Sequence, residues 1–337
     1  VAKNEEEAVK WYKLAAEQRN AIAQNNLGYC YQYGRGVAKN EEEAVKWYKL
    51  AAEQRNAIAQ NNLGYCYQYG RGVAKNEEEA VKWYMKAAVQ GNAAAQNNLG
   101  SCNRDGRGIA KNEEEAVKWY KLAAKQGHAT AQSNLGFCYQ YNRGVVKNAE
   151  AVKWYKLAAK QGHATAQNNL GECYHYGRGV VKNAEEAVKW YRLAAEQGDA
   201  NAQNNLGVCY QYGIGVAKNS DEEFNWYKLA ADQGNMYAQS SLGYCYQHGI
   251  GVVKNDDEAA KWFQLSADQG YMNAQSNLGC CYREGRGVVK NEKEAVKWFK
   301  LATEQGHADA QYGLGYCYFH GIGVAKDDEE SFKWIKL

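Results

Sequence analysis

The sequence predicts an all-α chain of stacked antiparallel helix pairs, a solenoid in place of a single globular core. Three observations predict it. Ten tryptophans, from Trp11 to Trp334, recur every 36 residues with a single step of 35. Residues 1–36 and 37–72 are identical. Proline is absent from all 337 residues, which suits a chain made of helices joined by glycine turns. The short step reflects one residue lost near Asn148, where KNEEEAVKWY becomes KNAEAVKWY.

The first helix of each unit is expected from about Glu5 to Gln18. Asn4 is the expected N-cap, with Glu7 three residues on as the other half of a capping-box-like pair. Ala8, Trp11, Tyr12, Ala15 and Ala16 fall at helical spacing and form the expected buried stripe. Glu6 and Lys10, four apart, form a favourable surface pair. Gly ends this helix in seven of nine units, as at Gly91, Gly127 and Gly162, where a residue of positive φ is needed. Arg19 and Arg55 stand there in the other two units, at a cost of about 1 kcal/mol each.

The second helix is expected from about Ala21 to Tyr33. Ala23, Leu27, Cys30 and Tyr31 form its inner stripe, and Gly28 allows a close approach of the partner helix. The Gly-x-Gly turn follows, as at Gly34 and Gly36. One copy has Asn142 at the first Gly position, and Asn is the next-best residue at positive φ. Helices this short, joined by links this tight, cannot be nine independent domains, so each pair must stack on its neighbours.

Composition narrows the function. Lys+Arg 41 against Asp+Glu 38 leaves +3, spread along the chain without a block of one sign. Neither a nucleic-acid stripe nor an acidic tail is indicated. No apolar run reaches the ~18 residues needed to cross a bilayer, so direct membrane insertion is not expected. The chain starts at Val1 rather than Met and shows no n-region or h-region, so a signal peptide ahead of it, and with it a secreted or organellar origin, stays open.

The pattern AxAQxNLGxxYxxGxGVxKNxxEAVKWYxLAAxQG, present in every unit, resembles the Sel-one-like repeat, a relative of the tetratricopeptide repeat. The resemblance implies αα-hairpins in a right-handed superhelix and a non-enzymatic adaptor for protein partners. Relatives of this kind serve in membrane-associated degradation, chitin-synthase activation, bacterial signalling and host interaction. On the family's frame, residues 1–18 are an orphan second helix. Nine repeats follow at about 19–54, 55–90, 91–126, 127–161, 162–197, 198–233, 234–269, 270–305 and a truncated 306–337. The chain thus resembles a fragment of a longer array. An alternative role is the targeting arm of a larger enzyme or signalling or host-interaction protein whose active domain lies elsewhere. The family often carries proline after GxGV, whereas this chain has Ala38 or Val146 there, a loss of loop rigidity only.

Within the second helix the columns of Ile22, Asn25, Tyr29 and Tyr33 vary while the scaffold columns stay fixed, and their spacing places them on one face. By resemblance this face lines a concave groove. The aromatic candidates for partner contact are Tyr29, Tyr65, Phe137, Tyr244 and Tyr316 in one column and Tyr33, Tyr69, Tyr141, Tyr176 and Tyr212 in the other. Asn26, Asn62, Asn98, Asn134, Asn169, Asn205 and Asn277 fall where the tetratricopeptide fold uses Asn to hold a peptide backbone or carboxylate, and Ser241 and Gly313 break this ladder. The competing reading is that the ladder is solvated or bonded between neighbouring units. Gln24 and its equivalents do not vary, which points to structural bonds between units. Arg35, Arg71, Arg107, Arg143, Arg178 and Arg286 in the turns read as solvated or paired with the adjacent Glu run.

Nine of the ten cysteines share the Cys30 column. Equivalent points on stacked helices lie about 9–10 Å apart, beyond the ~7 Å reach of a disulfide. Free buried thiols and the lack of an Asn-x-Ser/Thr sequon point to a reducing, cytoplasmic compartment. The six histidines, among them His128, His163, His307 and His175, sit apart from other ligands, so neither a metal nor a cofactor is expected. GRGVAKN lacks P-loop spacing, and no catalytic constellation stands outside the repeat columns. The third unit departs most, with Asn103 in the Tyr31 column, and a soft point is expected near residues 100–106.

Overall fold

The computed structural model describes residues 2–144 and 149–335. The lost residue near Asn148, and Val146, lie outside the described residues. The chain divides into two units, Val1–Ala166 with Arg178–Val180, and Gln167–Gly177 with Val181–Leu337.

Unit 1 runs through α1 (Ala2–Glu17), α2 (Ala21–Tyr33), α3 (Glu41–Glu53), α4 (Ala57–Tyr69), α5 (Glu77–Val89), α6 (Ala93–Asp105), α7 (Glu113–Lys125), α8 (Ala129–Gln140) and α9 (Ala149–Lys160). It also takes the first residues of α10 (Ala164–Tyr176). Unit 2 holds the rest of α10 and then α11 (Ala184–Glu196), α12 (Ala200–Tyr212), α13 (Ser220–Asp232), α14 (Met236–His248) and α15 (Asp256–Asp268). It ends with α16 (Met272–Glu284), α17 (Glu292–Glu304), α18 (Ala308–His320) and α19 (Asp328–Ile335). The described residues are all helix and turn, and within each unit successive helices pack in chain order, as the repeat predicts.

The caps explain where these helices begin. Asn40 Oδ1 accepts from the Glu43 backbone N–H at 3.0 Å to start α3, and Asn76 and Asn112 do the same for α5 and α7. The capping box is only half formed. The Glu43 carboxylate turns to Lys46 at 2.5 Å, and the Asn40 N–H donates to the Tyr31 carbonyl at 2.8 Å. The surface pairs are therefore of the Glu7–Lys10 kind, three apart, rather than Glu6–Lys10; Glu7 itself accepts from the Trp11 indole at 3.3 Å. Asn4 lies inside α1, so it is not the N-cap of that helix. Before the even-numbered helices, Asn20 and Asn56 cap with Oδ1, and His128, His163 and His307 cap with Nδ1 at 3.2 Å. A capping Nδ1 must be unprotonated, which gives three scattered histidines a structural role.

After the even-numbered helices Asn142 takes the Gly34 position at φ 53°, and at the ends of the odd-numbered helices Arg19 and Arg55 sit at φ 65° and 66°. Seven glycines from Gly91 to Gly306 fill the other equivalent positions at φ 83–90°. The left-handed ends expected from sequence are all present.

The core is a stack of rings seated on glycines. Tyr48, Tyr84, Tyr120, Tyr155, Tyr227, Phe263 and Phe299 are fully buried. A Cβ on Gly28 would lie 2.8 Å from the Tyr48 ring, so glycine is what brings α2 against α3. The Tyr48 hydroxyl donates to Gln32 Oε1 at 2.6 Å, and Tyr84 to Gln68 likewise. Ala23, Leu27 and Cys30 are buried as expected. Trp11 is a correction: it is 65 % exposed, its face of α1 being left uncovered by the described residues. Trp83 and Trp298 are buried, each in the core cluster of the preceding helix pair. Gln24 bridges as expected, donating to the Ala16 carbonyl at 3.0 Å and accepting from Gln54 at 2.7 Å.

Candidate binding groove

The faces proposed for partner contact come from the even-numbered helices. Their i, i+4 spacing stacks the aromatic columns in pairs. Ring centroids of Tyr29–Tyr33, Tyr65–Tyr69 and Phe137–Tyr141 are each 4.6 Å apart. In unit 2, Tyr244 and Tyr316 pair with His248 and His320 at 4.2 and 4.3 Å. The turn arginines join them: Arg35 lies 5.2 Å from the Tyr29 ring centroid, Arg71 6.0 Å from Tyr65 and Arg143 5.9 Å from Phe137. Arg71 and Arg143 also reach Glu41 and Glu113 of the preceding odd-numbered helices at 3.6 and 3.3 Å. These turns pair with both Glu and rings; only the Glu half was legible in the sequence.

The Asn ladder is tied between neighbouring helices. Asn62 Nδ2 donates to Asn25 Oδ1 at 3.0 Å, Asn98 to Asn61 at 3.0 Å, Asn134 to Asn97 at 2.9 Å, and in unit 2 Asn205 to Asn168 at 2.9 Å. Asn26 and Asn169 accept from the residue before them at 3.3 and 3.5 Å. The amide hydrogens of four ladder members thus serve the stack. Asn277 makes no hydrogen bond among the described residues, since the residue it faces is Ser240.

One groove stands out, and it lies wholly in unit 2. It has a volume of about 760 Å³ and is lined by α10, α11, α12, α13, α14 and α16. Five expected residues line it: Tyr176, Asn205, Tyr212, Tyr244 and Asn277. In unit 1, Asn26 and Tyr29 line a smaller recess of about 270 Å³ with Glu5 and Arg35. Tyr33, Asn62, Tyr65, Tyr69, Asn98, Asn134, Phe137 and Tyr141 of unit 1 line neither, nor do Asn169 and Tyr316 of unit 2.

The groove adds residues that sequence reasoning did not name. Tyr237 and Asn273 belong to the variable Ile22 column, and Asn204 and Ser240 to the Asn25 column. Tyr271 is different. It occupies the N-cap position that Asn20, His128 and Asp199 hold elsewhere, yet makes no cap bond. Its ring meets Tyr237 edge-on at 5.1 Å, and its hydroxyl accepts from Asn273 at 2.8 Å. A lone Tyr in a column of capping residues was the available signal.

Chemically the lining is uncharged. It contains seven tyrosines with asparagines, serines and a glutamine, and no Asp, Glu, Lys or Arg. Burial, and then the charge of Lys182, hold His175 below the usual histidine range, so it is neutral at pH 7. The cysteines lie outside the lining, and burial pushes Cys66, Cys209 and Cys245 up to about 12. Among the described residues no three His, Cys, Asp or Glu side chains cluster as metal ligands would, and no helix is long and apolar enough to cross a membrane.

The Sel1 repeat model matches at residues 1–20, 21–56, 57–92, 93–128, 129–163, 164–199, 200–235, 237–271, 273–307 and 308–337. Among solved structures, the chain is similar to c5321, a protective antigen present in uropathogenic Escherichia coli strains displaying an SLR fold. The two are 34 % identical with a TM-score of 0.70, over 97 % of this chain and 78 % of that one. It is also similar to a Sel1 repeat protein from Oxalobacter formigenes, at 39 % identity and a TM-score of 0.66, over 72 % of this chain and 96 % of that one. Comparison with curated proteins gives no match.

Proposed function

Because the chain belongs to the Sel1 repeat family, whose members are generally protein-interaction scaffolds, we propose that it binds an extended, uncharged segment of a partner protein in the groove of unit 2. The observation that carries this reading is the lining itself. Tyrosines supply rigid contact area with polar tips, and amides and hydroxyls supply both donors and acceptors. Charged side chains on the segment would lose hydration with no counter-charge to meet them. A peptide backbone, uncharged and carrying a donor and an acceptor at each residue, is the ligand chemistry this suits.

The test is selection of short uncharged peptides on the full chain, followed by the Tyr212→Ala/Tyr244→Ala variant. Tyrosines central to an interface commonly carry 1–2 kcal/mol or more each, so binding is expected to fall by about tenfold or more. Unchanged affinity, with the fold retained, would refute the groove as the site.

A further inference from the structure

The Asn ladder is interrupted twice within the groove. Each intact rung joins an Asn25-type carbonyl to the Asn26-type amide of the next even-numbered helix, as in Asn205 to Asn168 at 2.9 Å. Along α12, α14 and α16 two successive rungs fail in opposite ways. Asn204 should receive an amide from position 241, but Ser241 stands there, and its hydroxyl is too short to take the place of an Asn amide. Asn204 Oδ1 is left buried with no hydrogen-bond partner. One step on, Asn277 is a proper donor, but the residue it should meet is Ser240. All four residues line the groove.

Resting on the groove reading above, we infer that an extended peptide segment completes both rungs, its residue i donating a backbone N–H to Asn204 Oδ1 and its residue i+2 accepting from Asn277 Nδ2. The geometry of the repeat supports that register. The two broken rungs are one helix spacing apart, about 9–10 Å. Two residues of extended chain rise ~6.7 Å, and the N-to-carbonyl span of one residue adds ~2.5 Å. The N–H of i and the C=O of i+2 also point to the same edge of an extended strand. A buried acceptor without a donor disfavours the empty groove and strengthens whatever supplies the hydrogen.

The experiment restores the rungs. Ser241→Asn places at 241 the residue that seven equivalent positions already carry, and Ser240→Asn does the same for the Asn277 rung. Each is expected to keep or raise the thermal unfolding midpoint while weakening the selected uncharged peptide by about tenfold. An N-methyl scan of that peptide should find one amide whose methylation costs the parent chain about tenfold and the Ser241→Asn chain little, a pattern that steric crowding alone would not give. If both Asn variants bind like the parent while Tyr212→Ala/Tyr244→Ala does not, the inference is overturned and the groove reading stands. If the tyrosine variant also binds normally, or no peptide is held at about 1 mM, both fall.

Discussion

Replacing Gly64 by Ala would ordinarily strengthen a helix interior by about 1 kcal/mol. Here the opposite is expected. The new Cβ would stand 2.7 Å from Tyr84 Cδ1, 2.8 Å from Cε1 and 3.1 Å from the Ala80 carbonyl. The ring has nowhere to go, being fully buried with its hydroxyl donating to Gln68 at 2.6 Å. Overpacking of a tight core costs about 1–3 kcal/mol, and displacing the phenol risks a hydrogen bond worth about 1 kcal/mol. After the propensity gain the net loss is roughly 1–3 kcal/mol. Urea unfolding followed by circular dichroism, with hydrogen exchange localising the change to α4 and α5, measures it. The control is Gly91→Ala, at φ 88° with open space around its Cβ, which should cost about 1 kcal/mol of backbone strain alone. A Gly64→Ala chain as stable as its parent would refute the ring-on-glycine account of the stack.

Other outcomes follow from single residues. Arg55→Gly should raise stability by about 1 kcal/mol in the same unfolding assay, since Arg55 is held at φ 66°. Glu223 is buried in the column that Ala44 and Ala80 fill, and burial raises its carboxyl above the usual range. The folded state therefore favours its protonated form, and its penalty grows as pH rises from the ordinary carboxylate value through the raised one. Glu223→Ala should stabilise more at neutral pH than at about pH 4, and equal gains at both would contradict this. His128, lowered by burial and then by His163, binds fewer protons folded than unfolded, so its contribution is present above about pH 6.5 and lost as pH falls below it. His128→Asn, which caps without titrating, should flatten that acid limb of a thermal-melt series. Amides near Asn103 should exchange faster than their counterparts near Tyr67, although the buried Asn103 amide donates to the Leu99 carbonyl at 2.9 Å.

What the sequence revealed is what repeats. A glycine or its substitute at each helix end, the Gly28 seat and the Gln24 bridge are fixed columns, and repetition exposes the physical demand behind each. Asn142, Arg19 and Arg55 were legible for the same reason, as departures from a column whose requirement was clear. Pairwise choices were harder to see. Whether Glu43 returns to Asn40 or reaches Lys46 depends on where the Asn40 N–H goes, and that is set by the Tyr31 carbonyl across a turn. The Trp11 column reads as uniformly buried from spacing, but the burial of each member depends on what packs over its face, and Trp11 is exposed where Trp83 and Trp298 are buried. The site follows the same rule. Its columns were apparent, yet the groove gathers only the members between Tyr176 and Asn277, where Tyr237 and Tyr271 add phenol rings that no other unit carries at those two positions.

The most direct test of groove binding is photo-crosslinking of a selected uncharged peptide carrying a diazirine residue to the full chain, with the adducts mapped by mass spectrometry. Adducts on Tyr212, Tyr237, Tyr244 and Tyr271 are the predicted result. Adducts concentrated on Tyr29 and Tyr65, or on the odd-numbered helices, would contradict it.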